Sequence, residues 1–164
     1  MIEIKETVSK GNGVFAVRAF KKGDVVLIKR IAKECTCNNP HATQYGIDRF
    51  VLHDEVSTNL NHSCDSNCGI KVNDKGSHLV VAMKDIATGE EITFDYAMEN
   101  YIIEHFPSQC MCGSSNCRGK ITGWKDLPEE KKEEYRLWAA PILFELDAIS
   151  EAQKNQEAKI STNH

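Results

Sequence analysis

Three cysteines within ten residues constrain this chain more than any other feature. In CMCGSSNCRG, residues 110–119, Cys110, Cys112 and Cys117 stand in C-x-C-x4-C spacing among Gly, Ser and Asn. Small residues let a backbone wrap tightly enough to turn three sulfurs on one centre, and a structural zinc site closes on four ligands. Cys64, inside NLNHSCDSNC at 59–68, is the natural fourth, which would make the ion a clamp between two distant segments. Cys68 and His105 are the less attractive substitutes.

The sequence holds seven cysteines and opens on MIEIKETVSK, charged and alternating, with no basic patch before an apolar stretch. That is no secretory signal, so an intracellular location is expected. No basic cluster of the localisation type separates cytoplasm from nucleus. In a reducing compartment an odd set of thiols argues against a disulfide frame and leaves metal ligation or scattered core cysteines. Cys35 and Cys37 share a strand face but have no partner pair, and are taken as packing residues or free thiols.

At 164 residues, with 41% hydrophobic and 27% charged, the chain suits one compact domain with a core of its own. It has no apolar run of membrane-spanning length, so no membrane partner is expected. A net charge of −4 gives no basic face for phosphates, so no direct nucleic-acid binding is expected either.

The local pattern is β-rich. IEIKETV at 2–8 alternates as a half-buried strand, and GVFAV follows a Gly-flanked turn. Lys22-Gly23-Asp24 turns into a strand expected from Val25 to Ile31. From 35 to 60 the pattern weakens, and CNNPHATQYG has the composition of a loop. IKV and HLVVAM flank Asn73-Asp74-Lys75-Gly76 as a β-hairpin. After DIATGEEITFDY the character changes. Asp126 is the expected N-cap of a helix with Pro128 in its first turn, Pro141 is expected to kink or split it, and Leu137, Trp138, Leu143 and Leu146 form its apolar stripe. Residues from about Lys154 have a frayed, polar composition.

Four stretches in this order, GNGVFA at 11–16, NHSC at 61–64, GEEITFDY at 89–96 and CMCGSSNCRG at 110–119, resemble the SET domain with its post-SET zinc segment. The resemblance covers roughly residues 4–122 and implies a mainly β fold: small curved β-sheets with a knot-like centre and a post-SET zinc loop. The apolar stripe of the tail adds a C-terminal helical cap, with a wall of the substrate groove as its alternative role. The corresponding division is a SET domain over 1–107, a zinc segment over 108–122 and a helical extension over 123–164. Members of that family are S-adenosylmethionine-dependent protein lysine methyltransferases. Carried over by position, Lys10, Gly11, Asn12, Gly13, Asn61, His62, Tyr96 and Met111 would hold S-adenosylmethionine. Cys64, Cys110, Cys112 and Cys117 would hold zinc, Tyr96 would be the catalytic residue, and Phe94 and His53 would line the substrate channel. A Phe at position 94 leans toward di- or trimethylation.

The chemistry accounts for these residue types. A lysine amine has a reference pKa of about 10.4, so the nucleophilic form is scarce at neutral pH. A narrow apolar channel and a nearby sulfonium both disfavour the ammonium form, and alignment of amine, methyl and sulfur supplies the rest.

Three departures from the family pattern stand out. Ser66 replaces the proline of NHSCxPN, which costs the turn some rigidity. His53 stands eight positions before Asn61, where histone-type enzymes often carry a tyrosine; there it could bond an amine or titrate, and as a lone His it equally suits the solvent edge. The segment between Gly11 and Asn61 leaves a short insert to wall the substrate groove. The expected partner is a protein with an exposed lysine, histone-like or other. The short insert also suits two rivals: a SET-like binding module without effective turnover, or a small-molecule amine methyltransferase on the same scaffold. Trp124 and Tyr101 suit either a cleft wall or plain packing.

Overall fold

The computed structural model describes residues 1–106 and 109–161. The expected boundary between 107 and 108 falls outside the described residues, as do the last three positions. Strands β1 (Ile2–Glu6) and β2 (Asn12–Ala16) form the first hairpin, with Ile2 opposite Ala16 and Glu6 opposite Asn12. The strands that follow are β3 (Val25–Ile28), β4 (Ile31–Cys35), β5 (Ala42–Gly46) and β6 (Arg49–His53). Next come the one-turn helix α1 (Glu55–Thr58), β7 (Asn61–His62), β8 (Cys68–Val72), β9 (His78–Ala82) and β10 (Glu91–Phe94). Two 3-10 turns, Tyr96–Met98 and Trp124–Asp126, precede α2 (Glu129–Tyr135) and α3 (Ile142–Ser161).

The larger sheet runs β1-β2-β10-β8-β9-β3, and β4-β6-β5 form a separate small sheet. β10 is its pivot. Glu91 and Ile92 pair antiparallel with Phe15 and Val14, while Thr93 and Phe94 lie parallel to Asn61 and His62, and Phe94 also faces Cys68. Four residues thus gather three chain segments, which is the knot-like centre that the motifs implied.

Two expected elements are corrected. The strand expected from Val25 to Ile31 ends at Ile28, and Ile31 starts a strand of the other sheet. Lys29 between them is buried on an acidic partner, and a buried ammonium must find its counter-charge before the strand can continue. The stretch of loop-like composition contains the β5–β6 hairpin, with Ala42 opposite Leu52 and Gln44 opposite Phe50. Its inward positions include Thr43 and Gln44, so no apolar alternation marks β5.

The C-terminal extension packs into the same core as the sheets. Trp124, Leu127, Tyr135, Ala139, Ala140, Leu143 and Leu146 join Val14, Ile70, Val80 and Ile92 in one cluster. Ile70 N donates to Trp138 O at 2.8 Å, and Ala140 N donates to Met98 O at 2.8 Å. Pro128, not Asp126, is the N-cap of α2, and Asp126 lies in the preceding 3-10 turn. Pro141 separates the two helices, as its ring and missing N–H require. Leu137 leaves the expected stripe and is 74% exposed, because α2 ends at Tyr135. The residues taken as frayed continue α3 to Ser161, on its exposed outer half.

A Cβ on Gly69 would lie 2.7 Å from Trp138 Cβ, an atom too close to its backbone to yield. Gly69→Ala is therefore expected to destabilise by about 1–3 kcal/mol, whereas Leu137→Glu stays within about 0.5 kcal/mol. Denaturant melts of the two variants check this; an unchanged midpoint in Gly69→Ala would contradict the packing of the extension on β8.

Candidate active site

β10 and the turn after it place the central side chains. Asp95 caps the 3-10 turn, accepting from Ala97 N at 3.1 Å, and this turns Tyr96 away from the strand direction. Tyr96 Oη donates to Leu60 O at 2.9 Å, and Tyr96 N donates to His62 Nδ1 at 3.3 Å. Its ring lies 5.2 Å from Phe94, 5.3 Å from His62 and 5.4 Å from Phe106. Burial pushes its hydroxyl well above the ordinary tyrosine range, so Tyr96 is a neutral phenol and serves as no base at neutral pH.

His62 is buried and neutral. Burial lowers it to about 4, against a partial opposing pull from Asp95. Its Nδ1 stands 3.5 Å from Asp95 Oδ1, but a neutral ring that accepts the Tyr96 amide there forms no ion pair. The proton is on Nε2, 3.3 Å from Cys64 Sγ.

The glycine turn is fixed against this centre by Glu91, a residue inside GEEITFDY to which the sequence alone assigns no role. Glu91 Oε2 accepts from Lys10 Nζ at 2.6 Å, and Glu91 Oε1 accepts from Asn61 Nδ2 at 2.9 Å. Asn61 Nδ2 also donates to Asn12 O at 2.9 Å. A Cβ on Gly13 would meet Glu91 Oε1 at 2.7 Å and Asn61 Nδ2 at 3.0 Å, so a larger residue there would push the Glu91 and Asn61 side chains out of this arrangement. Gly11 has φ 70°, the left-handed turn that brings Lys10 back.

A cavity of about 310 Å³ opens onto these groups. Lys10, Asn12, Asn61, Phe94, Tyr96 and His53 all line it. Gly11, Gly13 and His62 adjoin those residues without lining it. Met111 lies on the cysteine segment, 57% exposed and off this cavity. His53 is buried and held at about 4, first by burial and then by the charge of Lys29. It is neither a solvent-edge residue nor a group that titrates near neutrality.

The four cysteine sulfurs of Cys64, Cys110, Cys112 and Cys117 lie within 4.8 Å of one another, and Cys64 and Cys110 are 3.9 Å apart. Tetrahedral zinc–sulfur bonds of about 2.3 Å put sulfurs ~3.8 Å apart, so the set fits zinc. Backbone N–H groups of Arg118 and Gly119 point at Cys64 and Cys117 at 3.5 and 3.4 Å, the support that metal-bound thiolates use. Cys68 is buried in the apolar core and belongs to no such group. Trp124 and Tyr101 are packing residues whose polar tips share Asp147.

Arg118, beside Cys117, reaches back to Asp95 with two bonds of 2.6 and 3.1 Å, and Tyr135 of α2 donates to the same carboxylate at 3.0 Å. The sequence reading missed this hub. Its signal was the Arg of NCRG and the Asp between Phe94 and Tyr96, both inside recognised motifs.

A family model described as the SET domain matches residues 11–97, more than half of the chain. Over 77 residues the chain is 38% identical to the "Histone-lysine N-methyltransferase, H3 lysine-4 specific" of Saccharomyces cerevisiae, a match covering 45% of this chain and 6% of that protein. Over 105 residues it is 37% identical to the "Histone-lysine N-methyltransferase, H3 lysine-36 specific" of Mycosarcoma maydis, covering 61% of this chain and 10% of that protein. The chain thus spans a small part of both relatives. A crystal structure of a candidate histone methyltransferase from Plasmodium falciparum superposes with a TM-score of 0.50 at 20% identity, over 58% of this chain and 96% of that one, a likeness of fold. No helix among the described residues is long and apolar enough to cross a membrane.

Metal analysis of the purified protein is expected to find one zinc per chain. Cys64→Ser should lower that content, while Cys37→Ser, at an exposed thiol outside the cluster, should keep it. Equal zinc in the two variants would remove Cys64 from the site.

Proposed function

Because this chain belongs to the SET-domain family, we propose that it transfers methyl groups from S-adenosylmethionine to the lysine amine of a protein substrate. The observation that carries the reading is the convergence of Lys10, Asn12 and Asn61 with Tyr96, Phe94 and His53 on one cavity. When bound, S-adenosylmethionine supplies the methyl group and a sulfonium charge. Asn61 and the backbone from Lys10 to Gly13 offer hydrogen-bonding groups for its polar ends. Phe94 and Tyr96 give the substrate side chain an aromatic wall that excludes water, so the amine loses its proton more readily than in solvent. With its own hydrogen already given to Leu60 O, Tyr96 Oη keeps lone pairs that can accept from an amine N–H. Its part is orientation rather than proton removal. The amine that Tyr96 orients would have given up its proton to solvent on entering the cavity, and after taking up the methyl group it would leave as a methylated ammonium.

We keep the division into residues 1–107, 108–122 and 123–164 as part of this reading, with the third segment a cap. Cys64, Cys110, Cys112 and Cys117 would hold a zinc that ties the second segment to the first. Met111 would contribute to the cofactor pocket only through its backbone. The names of the relatives make histone H3 the first substrate to test and an intracellular place the one to examine.

Labelled S-adenosylmethionine incubated with histone H3 and with a cell lysate tests the reading. Label is expected in protein, with Tyr96→Phe slower by on the order of tenfold or more. Mass spectrometry is expected to find di- or trimethyl-lysine, in keeping with Phe94. Label confined to small molecules would move the activity to free amines. No cofactor binding would sink the enzyme reading, and monomethyl product alone would overturn the role of Phe94.

A further inference from the structure

The cavity proposed for the substrate lysine already holds a lysine of the protein's own. Lys29 is buried and lines it together with Phe94, Tyr96 and His53. Its Nζ donates to Glu99 Oε2 at 2.5 Å, lies 3.5 Å from Thr43 Oγ1 and stands 5.1 Å from the centre of the Phe94 ring. Glu99, just past the turn that carries Tyr96, accepts at Oε1 from His78 Nδ1 at 2.7 Å. An ionised carboxylate only accepts, so the hydrogen of that contact is on His78 Nδ1. His78 stacks on Tyr45 at 4.1 Å, and His53 lies 6.5 Å from His78.

The groups facing the pair come from several elements: Thr43 and Tyr45 from β5, His53 from β6, His78 from β9, Phe94 from β10 and Tyr96 from the turn. Burial pushes the Glu99 carboxyl up, but the Lys29 charge and the His78 hydrogen bond outweigh it and hold the group well below the usual carboxylate range. The wall of the cavity thus carries the Lys29–Glu99 ion pair in direct contact, apart from Lys10, whose ammonium is paired with Glu91. Replacing such a pair by apolar residues is often neutral or stabilising, so fold stability alone gives little reason to keep it.

We propose that the Lys29–Glu99 pair sets the charge balance of the methyl-transfer cavity, so that a substrate lysine is accepted as the neutral amine. The proposal rests on the methyltransferase reading. Glu99 alone would hold an incoming ammonium as an ion pair, in the form that cannot attack. Lys29 alone would repel that ammonium and the cofactor's sulfonium alike. In contact, the two charges cancel at a distance, and the face of Phe94 that would attract a substrate cation is already near a resident one. The desolvation of the channel then decides the protonation state of the amine.

S-adenosylmethionine and S-adenosylhomocysteine differ by one methyl group and one positive charge at sulfur, so the ratio of their affinities reads the field in the cavity. Calorimetry on wild type, Lys29→Met, Glu99→Gln and the double variant is the test. Lys29→Met leaves Glu99 uncompensated and should shift the ratio toward S-adenosylmethionine, on the order of tenfold. Glu99→Gln leaves Lys29 uncompensated and should shift it the other way, and the double variant should return it to the wild-type value. The pH profile of methyl transfer carries the same signs. An extra anion raises the amine pKa and moves the rising limb to higher pH, and an extra cation moves it lower. Each single variant has its own direction, so either one that folds decides. Shifts of the same sign, or ratios within about twofold of wild type, overturn the proposal while leaving the methyltransferase reading intact. A wild-type protein that binds neither ligand overturns both.

Discussion

The rest of the structure depends on one carboxylate with no exposed surface. Asp95 lies between the last strand of the main sheet and the turn that carries Tyr96. A lone buried carboxylate is far too costly to keep, so its hydrogen bonds from Ala97, Arg118 and Tyr135 are obligatory as a set. The Ala97 amide fixes the turn, Arg118 brings the cysteine segment against the sheet, and Tyr135 brings in the C-terminal helices. Three parts of the chain that are far apart in sequence therefore meet where the proposed chemistry takes place.

A second buried charge follows four residues later, and the two are complementary. Asp95 turns to the cysteine segment and α2, whereas Glu99 turns to Lys29 and the small sheet. Tyr96 stands between them. Short strands joined by many turns leave little regular hydrogen bonding to locate such a side chain, and paired charges supply a fixed frame on both sides of it. Buried pairs of this kind contribute more to the choice of one geometry than to net stability, which suits a site whose proposed mechanism is alignment.

The features carried by spacing were legible in the sequence. The four cysteines meet, the Asn73–Gly76 hairpin forms, and NHSC lies beside the FDY segment at β10, as the motifs indicated. What escaped notice depends on partners distant in sequence. The β5–β6 hairpin hides because Thr43 and Gln44 point inward on polar partners, Glu99 and Gln44's own carbonyl acceptors, which no alternation of apolar residues reveals. Lys29 ends a strand that β propensity alone would continue, because its ammonium needs Glu99. Leu137 follows the helical period but misses the core, since the period says nothing about where α2 stops. Glu91 and Arg118 lie inside recognised motifs and Tyr135 in the helical extension, but their partners Lys10 and Asp95 are distant in sequence.

The central claim is that the Asp95 carboxylate assembles the proposed cofactor site from separate segments. Titration of S-adenosylmethionine into Asp95→Asn and wild type, on samples whose β-sheet circular dichroism matches, tests it most directly. Asparagine keeps an acceptor for the turn but loses the charge that holds Arg118. The account predicts affinity weaker by on the order of tenfold or more. Affinity equal to wild type would contradict it.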